Sequence, residues 1–381
     1  MRRDGQAGAR AAAVAHEAGL IVNHWVPAAH KGDAIGDSAR RLRDFARELG
    51  HDSELYALTI DGELVGDVRP FDPSRSMNGD VTLFHFGLSS AMTDLFRSLP
   101  RGRVLLYHNI TPARFFAPHH PHIFRLAALG RRELRSLAGD VDLALAVSEY
   151  NRTELVELGF ARTGVLPLAV DLDRITRAGR RPALEALLSD HLMNFLFVGR
   201  LTPNKRIEDH LRLAEHYKRY VDADYRFIFV GRTDAVPRYY AAIRQLISDY
   251  RMLPERFVFT GAVSDEELSA YYRTARVYVS LSEHEGFCAP LIEAMAADVP
   301  VLAYSAAAVP ETLAGAGVQF APKDLAVAAE LLGALAFDER LRTAVLAGQR
   351  LRLTDFSGDR QKRDLASVLA QFEGDESGVP P

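Results

Sequence analysis

Val277–Met295 reads VYVSLSEHEGFCAPLIEAM, and its parts decide the fold class. The apolar run Val277 to Leu281 leads into a polar turn carrying Ser282, Glu283, His284 and Glu285. Gly286 follows, and then a helix-forming segment with Pro290 near its start. A short continuous apolar run bounded by turn residues reads as a strand buried on both faces, the habit of parallel sheets covered by helices. Pro290 suits a first helical turn because its missing N–H would have no intrahelical partner there. Glu285 therefore lies in the loop and Glu293 about one turn inside the helix. Backbone N–H groups at such a helix start receive an anion or a hydroxyl, and carboxylates beside them accept hydrogen bonds from hydroxyls. For either carboxylate alone, a solvated helix cap is the simpler reading.

The same unit recurs along the chain. Apolar runs at Leu20 to Val26, Ser53 to Leu58, Val81 to Phe86, Val104 to His108, Leu143 to Val147 and Gly164 to Leu168 alternate with helical patterns. A second series runs through Asn194 to Val198, Tyr225 to Val230, Arg256 to Thr260, Val277 to Leu281, Pro300 to Ala303 and Gly317 to Phe320. The pattern predicts an α/β protein built twice, with two Rossmann-like domains. A chain of 381 residues also exceeds one comfortable core. The expected organisation is a first domain over residues 1–168, including an extension over 1–18, a junction over 169–190 and a second domain over 191–356. A C-terminal helix over 357–372 is expected to cross back to the first domain, and residues 373–381, rich in Gly, Ser and Pro, to form a mobile tail.

Composition narrows the function. With 48% hydrophobic and 25% charged residues, the chain is one that folds. A formal net charge of -4 is the wrong sign for a protein that neutralises many phosphates, which argues against nucleic acid as a partner. The single cysteine, Cys288, makes neither an internal disulfide nor a thiolate metal cluster, and a reducing cytoplasm fits it. No run of about eighteen apolar residues is present, and Met1 to Leu20 lacks the apolar centre of a secretion signal. Neither half carries Gly-x-Gly-x-x-Gly after a strand or the Lys-Ser/Thr phosphate loop, so dehydrogenase and ATPase readings lack their phosphate-binding device.

The segment from Glu285 to Glu293 resembles the Glu-x7-Glu motif of retaining glycosyltransferases of the glycosyltransferase 4 family, and similarity runs from about Val22 to Phe372. The resemblance implies the GT-B architecture, two Rossmann-like domains with parallel sheets facing across a cleft. It implies that Glu285 holds hydroxyls of the donor sugar and Glu293 the ribose, with Gly286, Phe287, Cys288 and Ala289 supplying backbone contacts. The stretch Phe197 to Arg206, with Gly199, Arg200 and Lys205, is similar to the family's Gly-Arg-Leu-x-x-x-Lys segment. There a guanidinium fork and a compact ammonium neutralise the departing diphosphate, work done elsewhere by a metal ion. No metal and no resident cofactor is expected.

Other segments extend the resemblance. Phe259 to Leu268 matches the border of the nucleobase site, with Val263 offering backbone hydrogen bonds and Ser264 capping a helix. Leu105 to Pro112 ends a strand with His108, which matches a family histidine near donor sugar and acceptor. Lys31 to Ser38 is similar to the glycine loop facing the donor phosphates but lacks the usual glycine pair; Gly36 is the expected point of close approach, before a helix over Arg40 to Leu49. Tyr304 to Glu311 departs from the glycines of many relatives, and Glu311 is a weak site residue that begins a helix. His119, His120 and His122 lie in a Pro-rich loop without a carboxylate at ligand spacing, which reads as no metal site. Phe124 to Leu137 combines Arg125, Arg131, Arg132 and Arg135 with leucines; such a face suits an anionic membrane surface or plain solvent.

The resemblance implies front-face transfer of a hexose-type sugar from a nucleotide diphosphate donor to a hydroxyl acceptor, a glycan, a lipid-linked sugar or a small metabolite. It implies a cytoplasmic enzyme, at the inner face of the membrane where the acceptor is lipid-linked. Two other uses of such a site stay open at this stage: an epimerase or phosphorylase on the same fold, and a non-catalytic nucleotide-sugar-binding protein.

Overall fold

The computed structural model describes residues 19–373. The extension over 1–18 and residues 374–381 of the expected tail lie outside the described residues. The first sheet contains β1 (Ile21–Ala29), β2 (Asp52–Ile60), β3 (Arg69–Pro70), β4 (Val81–Phe86), β5 (Arg103–Tyr107), β6 (Leu143–Ala146) and β7 (Thr163–Val165). The second contains β8 (Met193–Val198), β9 (Tyr225–Val230), β10 (Phe257–Gly261), β11 (Val277–Ser280), β12 (Val301–Tyr304) and β13 (Val318–Phe320). The strands pair in parallel, in the orders β3-β2-β1-β4-β5-β6-β7 and β10-β9-β8-β11-β12-β13, with one isolated antiparallel bridge between Gly231 and Gly261. This is the α/β class with two parallel sheets that the alternating pattern predicts.

Burial explains why the strands read as unbroken apolar runs. Every residue of β4 (VTLFHF) and of β9 (YRFIFV) is buried, as expected where helices cover both faces. Trp25, Phe84, Phe86 and Phe96 pack together on one side of the first sheet, and Phe195, Phe227, Phe229 and Tyr217 fill the matching place beside the second. Each such side chain contributes about 1.5–3 kcal/mol of burial. Polar exceptions stand out against this background. In register, His24 of β1 pairs with Leu83 and His85 of β4 pairs with Leu106, so His24, His85 and His108 climb one face of the sheet toward its carboxyl edge.

Most strand limits shift by one to three residues from expectation, and larger departures have local causes. The helix expected from Arg40 begins at Ala34, because Asp33 is extended and its side chain accepts the Gly36 N–H at 3.3 Å as an N-cap. The strand expected over Gly164 to Leu168 is shorter, Thr163–Val165; Leu166, Leu168, Ala169 and Val170 stay buried but run on toward the second sheet as irregular chain. The two-residue β3 has no apolar pattern to announce it. Among the described residues no helix is long and apolar enough to cross a membrane.

The last helix, Gly358–Leu369, packs on the helix Ala34–Glu48 of the first sheet. Gln361, 5% exposed, joins them: Arg41 Nε donates to its Oε1 at 3.0 Å, and its Nε2 donates to the carbonyls of Val170 (3.0 Å) and Phe356 (2.6 Å). Replacing it with an apolar side chain strands those acceptors away from water. Gln361→Leu is expected to lose about 1–3 kcal/mol of stability, read as a lower denaturant midpoint. An unchanged midpoint would show that this junction carries no load.

Candidate active site

The order of the first sheet reverses between β1 and β4, and that of the second between β8 and β11. Ligands of parallel sheets bind outside the carboxyl ends of strands at such reversals. The loop leaving β8 carries Gly199, Arg200 and Lys205, that leaving β11 carries Glu285 to Cys288, and His108 follows β5 directly. The carboxyl edges of the two sheets meet. His284 Nε2 lies 2.8 Å from Asn109 Oδ1, and Ser148 Oγ donates to Gly286 O at 2.8 Å. A Cβ on Gly286 would stand 2.5 Å from Asn109 Cβ and 2.8 Å from His108 O, so only glycine fits this seam. Glu311 accepts the N–H groups of Glu149 (2.7 Å) and Tyr150 (3.1 Å), capping the helix Glu149–Glu157 from across the seam.

The β11 loop has its carbonyls tied within the protein. His284 O accepts from Asn204 Nδ2 (3.0 Å), Glu285 O from Ala308 N (3.3 Å), Phe287 O from Thr312 Oγ1 (2.5 Å) and Cys288 O from Leu291 N (3.0 Å), with Gly286 O held by Ser148 and Asn151. Among the described residues, the N–H groups of Gly286, Phe287, Cys288 and Ala289 donate to no protein acceptor. Cys288 is buried with φ 71°, the left-handed turn that starts the helix Ala289–Ala296. Left-handed backbone is costly for a residue with a Cβ, and here it leaves donors converging at a positive helix end.

The charged residues sort into two groups. Lys205 Nζ sits 2.5 and 2.6 Å from the carboxylate oxygens of Glu285, and Glu285 is 8% exposed. Gly199, at φ 150°, lies beside the Lys205 stem. Arg206, left-handed at φ 53°, ends the short turn Pro203–Lys205 and is held by Asp209 (3.1 Å) and Glu283 (3.2 Å). Lys323 bridges the same two acids at 2.8 and 3.1 Å. Glu293 stands apart from this group: Arg174 NH2 contacts it at 2.5 Å, Tyr272 OH at 3.0 Å, and Arg174 also reaches Asp265 at 3.1 Å. Arg200 is exposed and forms no ion pair among the described residues.

His108 Nε2 lies 2.9 Å from His85 Nδ1, and His85 Nε2 lies 3.1 Å from His24 Nδ1. Burial pushes His24 and His108 down to about 3 and His85 well below the ordinary histidine range. Gly36 is corrected in position: it lies in the first helical turn, not in the preceding loop, and the left-handed glycine there is Gly32, φ 71°. Val263 directly precedes the capping box of Ser264 and Glu267, its own N–H and C=O bonding to no protein group among the described residues. His120 caps the helix Pro121–Ser136 and His119 packs edge-on to Tyr239. Arg131 departs from the expected basic face: it pairs with Glu154 and donates to Ile110 O at 2.7 Å, while Arg125, Arg132 and Arg135 are exposed.

Several residues that shape the site escape sequence reasoning. Asn204, Asn151, Ser148 and Thr312 act on backbone carbonyls far away in the chain, and no spacing rule reports such contacts. Arg174 opens a short helix, Arg174–Arg177, in the junction, where nothing in the sequence marks it as a partner for Glu293. His24 and His85 were legible only as polar breaks in apolar strands.

Residues 188–345 match the family described as glycosyl transferases group 1. Among curated relatives, a GDP-mannose-dependent alpha-mannosyltransferase of Mycobacterium tuberculosis (strain CDC 1551 / Oshkosh) is 27% identical over 289 residues, 76% of this chain and 70% of that protein. The O-antigen chain mannosyltransferase B of Escherichia coli is 28% identical over 227 residues, 57% of this chain and 58% of that protein. Among solved structures, Anabaena Alr3699/HepE in complex with UDP-glucose superposes with a TM-score of 0.71 at 15% identity, covering 92% of this chain and 100% of that one. At that identity the likeness speaks for the fold.

Two outcomes follow from this geometry. Gly286→Ala forces the seam apart, and transfer to any acceptor is expected to fall roughly 100-fold, the cost of about 1 Å of misplacement between reacting groups; full activity would show that the seam is not closed in the working state. His24, His108, His210 and His284 have folded-state values of about 3, 3, 4 and 4, below the ordinary 6.5. Their contribution is whole above pH 6.5 and is lost as pH falls toward 4, by up to about 1.4 kcal/mol per group and pH unit. Thermal melts between pH 7.5 and 4.5 are expected to show the midpoint dropping below pH 6.5, and a flat profile would contradict the burial of these rings as neutral groups.

Proposed function

The chain belongs to the glycosyltransferase 4 family, the group 1 glycosyl transferases, and from that premise we propose that it transfers a mannosyl group from GDP-mannose to a hydroxyl acceptor, with retention of configuration and without a metal ion. The observation that carries this reading is the contact between Lys205 and Glu285 beside the N–H groups of Gly286 to Ala289, which have no acceptor among the described residues. In a sugar diphosphate one oxygen joins the anomeric carbon to phosphorus, so the groups that grip phosphate and sugar hydroxyls must stand within a few ångströms of each other. Lys205 and Glu285 do. With donor bound, the ammonium exchanges the carboxylate for the diphosphate, and the carboxylate turns to sugar hydroxyls.

In this mechanism the bond between the anomeric carbon and the diphosphate oxygen breaks, its electron pair leaving with GDP. The acceptor oxygen bonds to the anomeric carbon on the same face, and its proton passes to the departing phosphate oxygen. Lys205, Arg200 and the loop N–H groups stabilise the charge that develops there. Glu293 has lone pairs left for ribose hydroxyls beyond those engaged by Arg174 and Tyr272. The choice of mannose and guanosine rests on the mannosyltransferase relatives. We assign the exposed face of the helix Pro121–Ser136, with Phe124, Arg125, Leu129 and Arg132, to the cytoplasmic membrane surface, where a lipid-linked acceptor would be presented.

A thermal-shift screen against GDP-mannose, UDP-glucose, ADP-glucose and dTDP-sugars tests the donor. GDP-mannose is expected to stabilise most, by about 2.7 kcal/mol at a hundred times its Kd; preference for another base would sink the assignment. Glu285→Gln is expected to keep GDP binding and lose transfer by roughly 100-fold or more, because the sugar is no longer positioned.

A further inference from the structure

Three imidazoles in hydrogen-bonded sequence through the middle of a parallel sheet require an explanation that packing does not supply. His24 and His85 are wholly buried in mostly apolar strands whose other buried polar side chains are Asn23 and Thr82, and His108 is 8% exposed. At neutral pH all three are uncharged, since burial lowers each of them. A neutral imidazole has one N–H and one bare nitrogen, so a row joined nitrogen to nitrogen has only two consistent orientations. In one, every ring is protonated on Nε2, and the row ends with an N–H at His24 Nε2. In the other, every ring is protonated on Nδ1, and the row ends with an N–H at His108 Nδ1. Of the six ring nitrogens in the row, these two terminal atoms, His24 Nε2 and His108 Nδ1, find no partner among the described residues.

The ends differ in surroundings. His24 lies in the sealed interior, with the guanidinium charges of Arg43 and Arg47 as the ionised groups acting on it. His108 lies at the seam between the sheets, its carbonyl next to Gly286 and its neighbour Asn109 bonded to His284. Both terminal atoms are buried, but a buried N–H without an acceptor is rarer and costlier than a bare acceptor, so the unpaired N–H belongs at the end that lies at the seam, on the ring that keeps some exposure.

We propose that His24 and His85 are positioning residues that lock His108 in the Nδ1–H form, so that His108 donates a hydrogen bond to a sugar oxygen in the cleft and does not serve as a base. His24 Nδ1–H donates to His85 Nε2, His85 Nδ1–H donates to His108 Nε2, and the remaining proton sits on His108 Nδ1, the unpartnered atom of the ring next to the seam. The cleft thereby demands an oxygen with a free lone pair at that point, which discriminates against a sugar lacking that hydroxyl. This inference rests on the glycosyl-transfer reading of the cleft, but its first test does not.

Long-range proton–nitrogen spectra of the full chain labelled with 15N histidine, without ligand, report each tautomer. All three rings are expected as Nδ1–H, and an Nε2–H signal for His108 would overturn the proposal. His85→Gln keeps an amide donor for His108 and is expected to retain the Nδ1–H form and most of the turnover. His85→Leu removes the donor; His108 is expected to shift toward Nε2–H, and kcat to fall roughly 10- to 100-fold with donor KM unchanged, the range for side chains that orient a working group. Unchanged tautomer and kcat in a folded His85→Leu protein would also defeat it. Should that variant not fold, the wild-type spectrum decides alone. A wild-type protein that transfers no sugar would defeat the glycosyl-transfer reading and, with it, the assigned role, while the tautomers would still be read.

Discussion

From His284 to Cys288 the chain has its carbonyl oxygens hydrogen-bonded within the protein, and the site depends on that constraint. A peptide loop exposed to a cleft ordinarily presents donors and acceptors in equal number, and a polyanion gains little from such a mixture. Here the acceptors are consumed by Asn204, Ser148, Asn151, Thr312 and two backbone N–H groups, so donors dominate the face that remains. Two of those consumers, Ser148 and Asn151, belong to the first sheet's end of the molecule. The polarity of the loop is thus a property of the assembled pair of domains and of neither alone.

Apart from Arg200, the charged side chains named around this loop pair with one another. Lys205 with Glu285, and Arg174 with Glu293 and Asp265, place opposite charges in partly dry surroundings where an isolated charge would be expensive. Such pairs add little net stability, since desolvation offsets much of their attraction. Their value is geometric, because each holds a side chain where a ligand will replace the partner. Arg206, Asp209, Glu283 and Lys323 form a second layer that fixes the turn from which Lys205 projects.

The architecture was largely legible because parallel strands buried on both faces advertise themselves as apolar runs; Val81–Phe86 and Tyr225–Val230 match their expected limits. Legibility failed where tertiary contacts override local pattern. Asp33 draws the first helix back over Gly36, and the run Leu166 to Val170 is apolar because it is packed, not because it pairs in a sheet. Of the site, most residues found by motif lie in contiguous segments after β8 and β11, with His108 after β5 and Val263 after β10. The residues that motif reading missed, such as Arg174, Asn204 and His85, act over long separations in the chain, and their significance appears only once the sheets are assembled. Arg131 shows the reverse case, a cation that looks like surface and is engaged inside by Glu154.

The seam contacts described above are polar: Asn109 with His284, Ser148 and Asn151 with a carbonyl, and a carboxylate over the first turn of a neighbouring helix. Water can replace each of these in kind, and a helix cap of that sort is worth about 0.5–2 kcal/mol. Parting the two halves at these points exchanges clasps for hydration, although His284 also lies against Phe115 and Tyr150, and His119 against Tyr239, so some aromatic surface would be wetted with them. A seam closed in part by such clasps gives water a like-for-like replacement wherever a bulky charged substrate would part it.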